Sequence, residues 1–122
     1  SRLGPWSRGL GDVYKRQAYN CSKHGLIGLM RSVARDGGEY DITSNAVLPG
    51  WVRTEMAERS ARAEAEADGI TAEEVWRKRE ALYAPGRVAT PTEVAEMIAF
   101  LASEESSGVS AQAITVALGG LS

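Results

Sequence analysis

The chain has 122 residues, enough for one ordinary domain and too few for two, and its 43% apolar and 25% charged residues fit a globular protein rather than a disordered one. The 14 Lys and Arg and 16 Asp and Glu give a formal net charge of −2 without forming a basic stripe, so nucleic acid is not an expected partner. One cysteine excludes an internal disulfide, and with one histidine it excludes a closed zinc site, so no metal is expected.

Residues 1–17 (SRLGPWSRGLGDVYKRQ) show neither helical nor strand periodicity. They read as a leader outside the domain, non-native or disordered, in which LGDVYKRQ looks like translated adapter or vector sequence. Order begins at residue 18. Leu26, Leu29, Met30 and Val33 fall at i, i+3, i+4 and i+7, which predicts a helix over 19–36 with one apolar face, stopped by Gly37-Gly38. Cys21 lies inside that helix and reads as a small packing residue.

Residues 42–48 (ITSNAVL) predict a buried strand ended by Pro49-Gly50. The Ala, Glu and Arg-rich stretch 54–82 divides at Asp68-Gly69 and predicts two short, largely solvated helices, the second opening on Thr71 and Glu74 in capping-box spacing. A stronger helix follows, with Thr90 as N-cap, Pro91 in its first turn and Glu93 closing another capping box. Its Val94, Met97, Ile98 and Leu101 mark a buried face. Residues 113–116 predict a last strand before Gly119-Gly120. This alternation is that of an α/β domain with a parallel sheet, but two parallel strands are too few to stand alone. Residues 18–122 therefore read as the C-terminal part of a doubly wound, Rossmann-type domain whose N-terminal βαβ units are missing. No apolar stretch approaches the ~20 residues of a membrane span and no signal-peptide core is present, so a cytoplasmic location and no membrane partner are expected.

Tyr19 and Lys23 lie four residues apart at the start of the first helix and share a face. A phenol holds its proton to about pH 10, and a neighbouring ammonium favours the phenolate, which makes such a pair capable of acid/base work near neutrality. Taken alone, the pair equally describes a surface tyrosine packed along a lysine stem.

Three blocks decide between these readings. AYNCSKHGLIGL (18–29) resembles the catalytic helix of the classical short-chain dehydrogenase/reductase family, with its Tyr-x-x-x-Lys signature. SNAVLPGWVRTEM (44–56) resembles that family's strand and cofactor loop, and residues 85–120 resemble its last helix and strand. The blocks keep the family's order and spacing. The resemblance implies an oxidoreductase that interconverts a secondary alcohol and a ketone with NAD or NADP. Tyr19 matches the acid/base, and Lys23 the residue that tunes it and bonds the nicotinamide ribose. Pro49 and Gly50 match the loop under the nicotinamide, Val52 the backbone that holds the carboxamide, and Thr54 a hydroxyl on the carboxamide or diphosphate. Thr54 equally reads as a helix N-cap. Trp51, Met56 and Trp76, in or beside the segment that covers the substrate in this family, are candidate pocket walls and equally candidate core residues.

Departures from the family pattern are as informative. Its Gly-x-x-x-Gly-x-Gly phosphate loop is absent, since Gly4, Gly9 and Gly11 miss the spacing and follow no strand. The residue that selects NAD or NADP would lie upstream. Ser7 stands near the place of the family's catalytic serine, but not in the expected apolar strand end. Ala117-Leu118 replaces a shorter turn before Gly119. The chain thus reads as the catalytic half of an oxidoreductase that forms homo-oligomers in full length. The alternative is a catalytically incomplete fragment or subunit-association piece.

Overall fold

The computed structural model describes residues 4–120, with side chains from residue 17 onward. Six main elements follow in order: α1 (Gly4–Gly37), β1 (Ala46–Pro49), α2 (Glu55–Asp68), α3 (Ala72–Glu80), α4 (Pro91–Leu101) and β2 (Ala113–Val116). Short 3-10 turns occupy Gly38–Tyr40 and Glu104–Ser106.

The two strands pair in parallel, with Ala46 opposite Ala113 and Pro49 opposite Val116. β2 occupies the predicted residues, whereas β1 begins four residues late. The reason lies in side chains that replace the ladder ahead of it. Asn45 donates from Nδ2 to the Val109 carbonyl (3.0 Å) and accepts at Oδ1 from the Gln112 N–H (3.1 Å). The Ser44 N–H donates to Ser110 Oγ at 3.2 Å, and only at Ala46 does strand-to-strand bonding begin, to the Gln112 carbonyl at 2.9 Å.

α1 stops where expected, at Gly37, and the chain reverses through Asp41 in the left-handed region (φ 58°). Its start does not follow the expectation. The backbone is helical from Gly4, so residues 4–17 form a regular element although their composition carries no helical periodicity. Residues 1–3, and the Ser7 side chain, lie outside what is described.

The predicted apolar face of α1 is only partly covered. Met30 is buried with Ala34, while Leu26, Leu29 and Val33 are exposed. Cys21 is exposed as well, contrary to its reading as a packing residue. It stands nine residues before Met30, half a rotation around the helix from the buried side.

The core sits elsewhere, between α2, α3 and the segments that follow them. Ala57, Ala61 and Ala65 fall one turn apart along α2 and are buried against Val75 and Trp76 of α3, together with Tyr83, Val88 and Ala117. The two helices are largely solvated as expected, α2 above all, but the one face that each keeps from water forms the core. Alanines among Glu and Arg leave a weak apolar stripe, but their small side chains allow the close approach that encloses Trp76 completely. Both helices carry the expected caps: Thr54 Oγ1 accepts from the Ala57 N–H (3.2 Å) and Thr71 Oγ1 from the Glu74 N–H (3.1 Å). Gly69, in the left-handed region at φ 67°, ends α2.

α4 starts on the predicted capping box, Thr90 Oγ1 accepting from the Glu93 N–H while Glu93 accepts from the Thr90 N–H. Its predicted buried face is not buried. Val94, Met97 and Leu101 are half-covered, and Ile98 is exposed. Among the described residues no helix is long and apolar enough to cross a membrane.

Candidate active site

Past Pro49 the chain leaves the sheet and is held at each step to the N-terminus of α2. The Gly50 N–H donates to the Val116 carbonyl on β2 at 3.1 Å, and the Trp51 N–H to the Tyr83 hydroxyl oxygen at 2.6 Å. The Trp51 carbonyl accepts from the Ala89 N–H at 3.2 Å, and Val52 forms a parallel bridge with Ala89. Thr54 turns the chain into α2 with its N–H on the Val52 carbonyl (2.9 Å). The loop passes so close to its supports that a β-carbon at Gly50 would stand 2.7 Å from the Tyr83 hydroxyl oxygen and 2.9 Å from Ala117 Cβ.

Tyr19 and Lys23 lie one turn apart on α1, and the Lys23 Nζ sits 4.8 Å from the centre of the Tyr19 ring. Tyr19 is 60% exposed. Both line a cleft of about 940 Å³ whose other walls include Pro49, Gly50, Val52 and Thr54. Trp51 and Met56 continue the same wall. Residues brought together here thus come from the first helix and from the loop after β1, which the sequence separates by about two dozen positions.

Trp76 does not line the cleft. It is fully buried behind Trp51, the two rings meeting edge to face at 6.4 Å and 79°, and its Nε1 donates to Glu58 Oε2 at 2.9 Å. Of the two readings open for it, pocket wall gives way to core support, because the alanine face of α2 draws it inward.

Several cleft residues carry no signal in the sequence that marks them as cleft residues. Tyr83 is buried, and it supports the loop through its hydroxyl while lining the cleft with its ring. Leu82, Val94 and Ile98 add apolar surface from α4 and the turn before it. An isolated tyrosine and a half-exposed apolar face look ordinary until the chain is folded.

Pro91 and Val94 in the first turn of α4 reach the cleft, and the capping box beside them holds an ion pair. Arg87 donates two bonds to the Glu93 carboxylate, Nη1 to Oε1 at 2.8 Å and Nη2 to Oε2 at 3.2 Å. The Arg87 guanidinium, and then the Thr90 N–H, hold the Glu93 carboxyl down from 4.5 to about 2. The same bond to Glu93 raises Arg87.

Known proteins resemble this chain along most of its length. The profile of a family described as enoyl-(acyl carrier protein) reductase matches residues 7–121. A (3R)-3-hydroxyacyl-CoA dehydrogenase of Mus musculus is 36% identical over 103 residues, covering 84% of this chain and 35% of its own length. Among solved structures, a short chain dehydrogenase family protein from Francisella tularensis superposes with a TM-score of 0.78 at 31% identity, over 81% of this chain and 41% of that one. The F189W actinorhodin polyketide ketoreductase, solved with NADPH, gives a TM-score of 0.76 at 37% identity, over 83% of this chain and 39% of that one. The chain spans about 40% of the length of the curated relatives it matches. Its helix, parallel strand pair and closing helix are a segment of their Rossmann-type fold, and the chain belongs to the short-chain dehydrogenase/reductase family.

Proposed function

We propose that this chain carries the acid/base and nicotinamide-side residues of an NAD(P)-dependent oxidoreductase that interconverts a secondary alcohol and a ketone. The observation that carries this reading is the meeting of Tyr19, Lys23 and the Pro49–Thr54 loop along one cleft. The residues present suit the nicotinamide and ribose half of the cofactor: an ammonium, a phenol, a loop with a close-packed glycine, and a hydroxyl at a helix start. NADPH is bound in the related actinorhodin ketoreductase structure, which supports the same cofactor class here.

When bound, the nicotinamide supplies or accepts hydride at the substrate carbon. Tyr19 gives a proton to the carbonyl oxygen in reduction and takes it from the hydroxyl in oxidation. Lys23 brings positive charge to within 4.8 Å of the Tyr19 ring, where it favours the negative charge that grows on the phenol oxygen as the proton leaves. Its ammonium also suits ribose hydroxyls. Thr54 caps α2, and its hydroxyl keeps a hydrogen to donate to a cofactor oxygen. Trp51 and Met56 offer apolar contact to the substrate. The phosphate-gripping loop and the residue that chooses between the two nicotinamide cofactors belong to the part of the family fold this chain does not span, and in the full-length protein α1, α4 and β2 are the proposed homo-oligomer contacts. A cytoplasmic location fits the single, unpaired Cys21.

The test is Tyr19→Phe in the full-length protein. Ketone reduction is expected to fall by at least about 10²-fold, with cofactor affinity within about twofold of the parent. Retained turnover would remove Tyr19 from the mechanism.

A further inference from the structure

Arg79 is the one charged side chain among the described residues that is buried, 5% exposed, and it lies beneath the cleft rather than in it. Its guanidinium stacks 3.6 Å from the centre of the Trp51 ring and 4.9 Å from that of Trp76. Nη1 donates to the Ala57 carbonyl at 3.2 Å, while Nη2 donates to Ser60 Oγ at 3.2 Å and to Glu64 Oε2 at 3.0 Å. Trp51, Ala57 and Ser60 all line the cleft. One planar cation therefore joins the loop after β1 to the first turns of α2.

Burying this group is costly. Nε is enclosed with no hydrogen-bond partner, and an orphaned buried donor loses its hydration without return. An apolar residue would fill the same core without that cost. What an apolar residue would not do is offer a flat face to Trp51 and donors to Ala57 and Ser60 together, and a lysine would not do it either. We infer that Arg79 is a positioning residue, which fixes the Trp51 and Ser60 wall of the cleft and thereby sets how tightly the carbonyl substrate is held. This role rests on the oxidoreductase reading above.

The experiment compares Arg79→Lys, Trp51→Ala and the double variant in the full-length protein, by steady-state ketone reduction and by near-ultraviolet circular dichroism. Arg79→Lys is expected to raise KM for the ketone about tenfold, with kcat and cofactor KM within about twofold, and to add little once Trp51 is alanine. It is also expected to weaken the tryptophan bands while the far-ultraviolet spectrum stays unchanged. An unchanged ketone KM would overturn the role. So would an equal rise in the Trp51→Ala background, or parallel changes in kcat and cofactor KM. Should Arg79→Lys fail to fold, Glu64→Gln takes its place. It removes the counter-charge, leaves the core filled and lies off the cleft wall, and it is expected to raise ketone KM about threefold by the same path; no rise would overturn the role. If the parent reduces no ketone, the oxidoreductase reading fails separately. The tether is then judged on the tryptophan bands, and unchanged bands would overturn it.

Discussion

A methyl group at Gly50 would press on the Tyr83 hydroxyl and on Ala117 at once, and both are buried. Neither support is a flexible side-chain end free to swing away, so Gly50→Ala must shift the loop or the core. Overpacking of this kind costs about 1–3 kcal/mol, and the urea midpoint of the variant is expected to fall accordingly. An unchanged midpoint would show that the loop yields freely. At this scale the sequence was readable where a residue stands in a motif. Tyr19, Lys23, Gly50 and Thr54 were singled out through the resemblance of their sequence blocks to a family's motifs, and all four lie along the cleft. Tyr83 and Arg79 were not, because nothing local distinguishes a supporting tyrosine or a buried arginine from a solvated one; their roles come from Trp51, some thirty positions away.

The elements were legible in proportion to how local their causes are. The α4 start follows from Thr90, Pro91 and Glu93 alone, and it forms as expected. The β1 start depends on Asn45 bonding to Val109 and Gln112, which no window around Asn45 contains. Burial was the least legible property. The alanine stripe of α2 is enclosed, and the stronger apolar stripes of α1 and α4 are not, because burial is set by which faces meet. The α4 capping box also makes a statement about pH. With Glu93 held down from 4.5 to about 2, its contribution to stability is present above the unfolded value and is lost as pH falls from about 4.5 toward 2. The stability gap between the parent and Glu93→Gln, measured by urea unfolding, is therefore expected to be wider at about pH 6 than at about pH 3. Both partners reach solvent, so salt should narrow the gap at the higher pH. An equal gap at both pH values would mean the pair contributes nothing.

At the scale of the whole molecule, two parallel strands and an open helix face describe a segment of a larger sheet. Leu26, Leu29 and Val33 lie uncovered on α1, the helix that carries Tyr19 and Lys23, and in the relatives the matched region is about 40% of the chain. Under the proposed function, the cleft so formed offers nicotinamide-side contacts without the phosphate-side ones. Residues 1–122 alone are therefore expected to give little or no enhancement of NADH fluorescence. Micromolar binding by this chain would show that the half described here holds the cofactor unaided. Fold class was legible because alternation of helix and strand survives in a part; completeness of the cleft was not, because it depends on surfaces the part does not contain.

The Tyr83 side chain touches two distant stretches of chain. Its hydroxyl accepts from Trp51, its ring crowds Gly50, and a β-carbon at Gly120 would stand 2.5 Å from that ring. Among the described residues β1 in turn finds its partner only in β2. During synthesis, the loop after β1 emerges from the ribosome long before either Tyr83 or β2 exists. Closing contacts of such separation is slow relative to helix formation, so α2 and α3 can form and pack while the loop is still unshaped. The floor of the cleft is thus among the last parts to take form, and a nascent chain from which Tyr83 and β2 have not yet emerged would display folded helices with no site beside them.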